Sequence, residues 1–310
     1  MITTTQLPAL QYDQWADSRT TLHLILQIIG KAKLKLTPRK NHWWYITLKP
    51  SSQGFSTYGI PLNGGLDTLD IHLDIAQRAV ILHCSEGTNI KIDLSESPTV
   101  ASFYASFMDA LAQFGLYPDF VKIPLDMAVT DTFDQITQYH FYNWEMIEEF
   151  WKVMTWTKDV FQEFSGRFYG KTSPVHLYWH SLDITVTRFS GKRLSPDVAK
   201  GMRMFERDTY SHEQISCGFW AGDPKVPQPM FYSYTFPSPE GLNEEPLEPA
   251  QANWMDSNGS PMALLSYADV RASENPRATL LAFLESAYQA GAKRAGWDRE
   301  EHIVPPLSEI

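Results

Sequence analysis

Between Leu69 and Leu94 the apolar residues fall on every second position in three short runs: Leu69, Ile71, Leu73 and Ile75, then Val80, Leu82 and Cys84, then Ile90, Ile92 and Leu94. Asp70, His72, Asp74, Lys91 and Asp93 fill the gaps. A period of two is that of a strand with one wet and one buried face. The runs are separated by too few residues for the crossover that parallel strands need, so the segment reads as an antiparallel meander. Helices flank it. Ser18 is placed to cap a helix that buries Leu22, Ile25, Leu26 and Ile29 and is limited by Gly30 and Pro38. Ser97-Pro98 opens another, with Val100, Phe103, Phe107 and Leu111 on one stripe and Gly115 as its stop. His42 to Lys49 and Phe55 to Ile60 read as further strands.

A chain of 310 residues exceeds the usual single domain. The Pro- and Asp-bearing connector from Tyr117 to Tyr142 suggests two α+β halves, 1–125 and 126–310. In the second half a long helix begins near Asn143, a polar loop spans Gly191 to Thr209, strands run from His212 to Trp220 and from Met230 to Phe236, and a last helix runs from Asn275-Pro276 to Gly296. The excursion from Pro237 to Gly259 reads as a lid or a surface loop. Gly30-Lys31 precedes His42-Trp43-Trp44, and Gly170-Lys171 precedes His176-Leu177-Tyr178-Trp179. This suggests an internal duplication, with helix, strands and helix in each half, and two His-bearing strands meeting at one site. Neither Gly-Lys pair has the earlier glycine of a phosphate-cradling loop, so both read as helix ends and no nucleotide cofactor is expected.

The segment from His176 to Arg188 is rich in polar aromatics for a core strand. Read as one unbroken strand, it puts His176, Tyr178, His180, Leu182, Ile184, Val186 and Arg188 on one face and Trp179, Ser181, Asp183, Thr185 and Thr187 on the other. A tight turn at His180-Ser181 would change the face of His180. Buried histidines and tyrosines need partners, either backbone and water or a ligand.

Three chemistries use these residues. His42, His176, His180, His212 and Glu213 all fall on expected strands, but His176 and His180 would stand about 13 Å apart along one strand, too far to share an ion held at about 2.0 Å, so no metal is assigned. His176 or His212 with Glu213, Glu206, Asp183 or Tyr178 could shuttle protons, making His176, His212, Glu213 and Tyr178 the catalytic candidates for a hydrolase-type enzyme. No nucleophile motif accompanies them, and Cys217 alternates with Ile215 and Phe219 like an inert core thiol. A binding pocket is the leading reading. Trp43, Trp44, Trp179, Trp220, Tyr232 and Tyr234 supply aromatic walls, and His42, Trp44, His176, Tyr178, Arg188, His212 and Trp220 are the expected ligand contacts. A structural or protein-interaction role is the third reading.

The net charge of −10, without a stripe of Lys and Arg among aromatics, argues against nucleic acid. No apolar run reaches the roughly 18 residues of a membrane span, Met1 to Ala16 lack a secretory pattern, and two isolated cysteines suit a reducing interior, so a cytoplasmic protein is expected.

Asn41-His42-Trp43-Trp44, Ser173-Pro174-Val175-His176 after Gly170-Lys171, Thr187-Arg188-Phe189-Ser190-Gly191, Tyr210-Ser211-His212-Glu213 and Gly218-Phe219-Trp220, in that order, resemble a bacterial family of uncharacterised proteins, domain of unknown function 5996. The resemblance runs from about Trp15 to Trp297 and departs at Cys217 and in the polar 200–209 loop. It implies one architecture over that length and brings no activity, cofactor or catalytic residue with it.

Overall fold

The three alternating runs form β4 (Asp67–Asp74), β5 (Ala79–Cys84) and β6 (Asn89–Asp93) of an antiparallel sheet, preceded by β1 (Lys49–Pro50), β2 (Gly54–Ser56) and β3 (Ile60–Leu62). This is seen in a computed structural model, which describes residues 6–140 and 142–309. The first five residues of the amino-terminal stretch therefore lie outside the description. The sheet runs β1-β2-β4-β5-β6, with β3 also paired to β4. Leu69, Ile71, Leu73, Val80 and Leu82 are buried, as a period of two requires.

A second antiparallel sheet follows: β7 (His176–Tyr178), β8 (Asp183–Arg193), β9 (His212–Trp220), β10 (Met230–Phe236), β11 (Asn253–Ser257) and β12 (Ser260–Ser266), in the order β11-β12-β10-β9-β8-β7. The helices are α1 (Tyr12–Leu36), α2 (Val100–Gln113), α3 (Trp144–Gly166), α4 (Met204–Thr209), α5 (Tyr267–Ala272) and α6 (Pro276–Arg294). The fold is thus α+β with two antiparallel sheets, each accompanied by helices, as the sequence implied. Caps set the helix starts. Thr99, Asn143 and Asn275 each accept a hydrogen bond from a backbone N–H in the first turn, and Pro276 occupies a first-turn position where no N–H is missed.

The sheets meet edge to edge. The backbones of Leu48 and Leu177 exchange hydrogen bonds of 2.9 and 2.8 Å, joining the start of the first sheet to the start of the second. The buried side chains of both halves form one continuous apolar cluster.

Four local expectations fail. α1 starts before Ser18 and continues past Gly30 to Leu36, so Ser18 and Gly30 are interior rather than terminal. From Thr21 to Lys33 it is buried on every side, and its polar groups tie down irregular backbone: Gln27 and Leu125 exchange hydrogen bonds of 2.9 and 2.8 Å, and Lys31 donates to the carbonyls of Val121 and Ile123 at 2.9 and 2.7 Å. Gly170 lies in a loop after α3, so the two Gly-Lys pairs are not equivalent. Asn41 to Ile46 form a kinked 3-10 segment instead of a strand, with His42 and Trp43 at φ 55° and 60°. Phe55 and Ile60 belong to separate short strands.

Candidate functional site

The strand expected from His176 to Arg188 is broken by a turn over residues 179–182, where Leu182 has φ 56° and its N–H bonds the Tyr178 carbonyl at 2.9 Å. β7 therefore folds back on β8, with His176 opposite Thr185, Leu177 opposite Ile184 and Tyr178 opposite Asp183. Directly opposed residues share a face. His176 and Tyr178 thus lie with Asp183, Thr185 and Thr187, while Leu177 joins Ile184, Val186 and Arg188. The single-strand reading had this phase reversed after the turn.

The two faces of the second sheet differ in chemistry. Ile184, Val186, Ile215, Cys217, Phe219 and Phe231 are buried on one face, where Gly291 of α6 approaches Thr235 and Ile215 closely enough to leave no room for a β-carbon. The other face carries Asp183, Thr185, Thr187, Gln214, Ser216, Trp220, Tyr232 and Tyr234, and it floors a cleft of about 630 Å³. Gly218 also belongs to this face, and any side chain there would collide with the Tyr232 ring.

The roof comes from both halves of the chain. His42, Trp43, Trp44 and Ile46 of the 3-10 segment stand beside Met204, Phe205 and Thr209 of α4. The two pieces are fastened together, since His42 Nδ1 lies 3.2 Å from the Thr209 carbonyl and Trp43 meets Phe205 edge to face. Lys171 Nζ donates to His42 Nε2 at 2.9 Å while lying over the rings of Phe189 and Trp44. These two contacts fix the His42 tautomer with its proton on Nδ1, and burial holds its pKa below the ordinary imidazole value. A left-handed conformation costs on the order of 1 kcal/mol or more per residue outside glycine, so the His42-Trp43 kink is maintained by these surroundings.

At the floor, Asp183 accepts hydrogen bonds from the Ser181 hydroxyl and the Tyr232 phenol. Thr187 and Ser216 are joined at 3.0 Å, and the phenols of Tyr210 and Tyr234 approach to 3.4 Å. Burial raises the pKa of Tyr178, Tyr210, Tyr232 and Tyr234, with Asp183 adding to the rise for the first three, so these phenols stay protonated at neutral pH. Burial lowers that of His180, with Asp183 opposing. Of the described lining residues, Asp183 and Glu206 carry carboxyl groups and Arg203 a guanidinium. Arg203 pairs with Glu206 at 2.8 Å and with Asp126 at 3.6 Å.

Four of the expected ligand contacts come together here: His42, Trp44, Tyr178 and Trp220. His212 stands just outside, edge-on to the His42 ring at 5.2 Å. His176 is fully buried outside the cleft against Tyr178, and among the described residues neither of its ring nitrogens has a partner of hydrogen-bonding geometry. Arg188 is on the opposite face, 1% exposed, clasped by Phe164, Tyr288 and Glu285. Glu213 points away from His212, as strand neighbours must, and accepts a hydrogen bond from Ser190 at 2.8 Å. The pairing of His212 with Glu213 as acid and base therefore does not form. Among the described residues no group of three or more His, Cys, Asp and Glu is placed to hold a metal ion.

The floor residues Gln214, Ser216, Thr185 and Thr187, and the α4 part of the roof, were not singled out in the sequence. The run of alternating polar residues in β8 and β9 carries the signal, once the turn at 179–182 is known. The 237–259 excursion does not cover the cleft: Glu245 within it bonds Lys293 and Arg294 of α6, and its end forms β11. No described helix is long and apolar enough to cross a membrane.

A model of a family of unknown function (DUF5996) matches residues 7–303. No curated protein and no solved structure matches the chain. The match covers all but the two ends, both sheets and both pieces of the cleft roof, and the chain accordingly belongs to this family of unknown function, DUF5996.

Proposed function

We propose that the chain binds a small organic molecule in the cleft over the second sheet. The observation that carries this reading is the polar face of β8, β9 and β10 beneath an aromatic roof, around a volume of about 630 Å³. That volume suits a ligand of drug or metabolite size, and aromatic walls with a few fixed polar groups are the usual make-up of such sites. A sheet face needed only for packing would be largely apolar, like its reverse side. Instead it presents hydroxyls, an amide and a carboxyl, whose burial without partners would cost roughly 1 to 3 kcal/mol each.

In this reading the cleft is shared by the halves 1–125 and 126–310, the ligand touches His42, Trp44, Tyr178 and Trp220, and neither metal nor cofactor takes part. The buried free thiols of Cys84 and Cys217 suit a reducing compartment such as the cytoplasm. Binding is favoured over catalysis because His212 and Glu213 diverge and Cys217 lies on the far face.

Native mass spectrometry of protein purified from expressing cells, followed by extraction, tests the proposal. A copurifying compound should be retained by the wild type and lost in Ser216→Phe, whose ring fills the floor, while Arg188→Met, altered on the far face, keeps it. Retention by the folded Ser216→Phe protein would overturn the assignment to this cleft.

A further inference from the structure

Asp183 stands in a row of aromatic residues that cross-strand pairing fixes. It is directly opposite Tyr178 on β7 and directly opposite Trp220 on β9, so all three project from one face with Asp183 between the two aromatic residues. Tyr232 reaches in from β10 to donate to its carboxylate, and Ser181 donates from the turn. Both donors are neutral. They orient the carboxylate without cancelling its charge, and none of the described residues forms an ion pair with it. The cations nearby are engaged elsewhere: Arg203 with Glu206 and Asp126, Lys171 with His42 and the rings of Phe189 and Trp44.

A carboxylate in a largely aromatic enclosure lacks the counter-charge that makes burial tolerable. Aromatic rings lining such a site favour the same kind of partner, because the quadrupole of a ring face attracts cations. Both features therefore select one ligand chemistry. Building on the binding role argued above, we propose that Asp183, Tyr178 and Trp220 form a subsite for a cationic nitrogen, a protonated amine or a quaternary ammonium, carried by a ligand whose remaining apolar part fills the cleft under Trp43, Trp44 and Phe205.

The test compares charged probes with neutral partners of the same shape. Phenylethylammonium is set against phenylethanol, and choline against its carbon isostere dimethylbutanol, by isothermal titration with the full chain. The wild type is expected to prefer each cation by about tenfold or more. Asp183→Asn should remove that preference while leaving the neutral compounds unchanged, and Trp220→Leu, which keeps the charge, should weaken choline about fivefold or more. Thermal melts check that each variant is folded, and Trp220→Leu keeps the question open to test if Asp183→Asn is not. Equal binding of cation and neutral partner to the wild type overturns this inference and leaves small-molecule binding standing. Cation affinity unchanged in folded Asp183→Asn also overturns it. Binding of neither class, together with no copurifying compound, overturns both readings.

Discussion

The indole of Trp179 lies against the backbone of Gly30 so closely that a β-carbon built on that glycine would overlap the ring. The same indole donates from Nε1 to the Ile46 carbonyl at 3.0 Å and lines the cleft, so α1, the roof and the 179–182 turn are keyed together at one point. In Gly30→Ala the overlap should outweigh the roughly 1 kcal/mol that alanine gains within a helix, for a net loss of about 1 to 3 kcal/mol in urea unfolding. Unchanged or raised stability would contradict the close approach.

Arg188 belongs to the core and not to the cleft. Its guanidinium carbon is 3.5 Å from the centre of the Phe164 ring and 4.4 Å from that of Tyr288, and Nη1 is 3.1 Å from Glu285. Removing one partner of such a pair and its packing should cost about 3 kcal/mol in Arg188→Ala, whereas Arg188→Met, which refills the space, should lose at least about 1 kcal/mol less. Chemical denaturation of the two variants measures the difference. Equal losses would show that volume is not what Arg188 contributes.

Stability should fall as the medium is acidified, with buried histidines as a named part of the cause. Burial pushes His176 and His23 from the ordinary value of 6.5 down to about 3; Lys49 and Lys33 add to this for His176 against the Pro174 carbonyl, and Arg19 adds to it for His23. Between those values the unfolded chain binds protons that the folded chain refuses, so this contribution is intact above about pH 6.5 and is lost as pH falls toward 3. Each histidine adds a slope of about 1.4 kcal/mol per pH unit over most of that window. His176→Leu should remove one such slope and, with only the weak attraction of the Pro174 carbonyl to lose, leave stability at pH 7 unchanged or higher. Unfolding series from pH 4.5 to 8 decide it, and parallel curves for variant and wild type would refute the assignment.

The thiol of Cys217, buried and pushed up to about 11, donates to Ser233 at 3.4 Å, and Cys84 is buried as well. Neither should react with a disulfide reagent in the folded protein at neutral pH, and both should react in guanidinium. Rapid labelling of the native chain would place one of them at an accessible position.

Periodicity made the sheets legible because side-chain alternation is a local property. β9 and β10 span the residues expected of them, and the caps at Asn143 and Asn275 mark their helices, since those signals sit within a few residues of what they control. The kink at His42 and Trp43 was not legible. It depends on Lys171, Phe189 and Thr209, which are distant in sequence. The turn at 179–182 was legible only as an alternative at His180-Ser181, because Leu182 carries no sign of its left-handed backbone. An unbroken strand places Arg188 in the cleft and Asp183 apart from Tyr178 and Trp220, which flank it once the turn is made.

The two faces of β9 interleave residue by residue: Gln214, Ser216 and Gly218 look into the cleft, and Ile215, Cys217 and Phe219 look into the core. Point substitutions on the cleft side can therefore change the lining of the cleft while the core is left alone. Loss or gain of a single residue within the strand is different in kind, because it exchanges the two sets wholesale and turns hydroxyls inward and a phenyl ring outward. Divergence of the cleft within this architecture is open to replacement of letters and closed to shifts of frame.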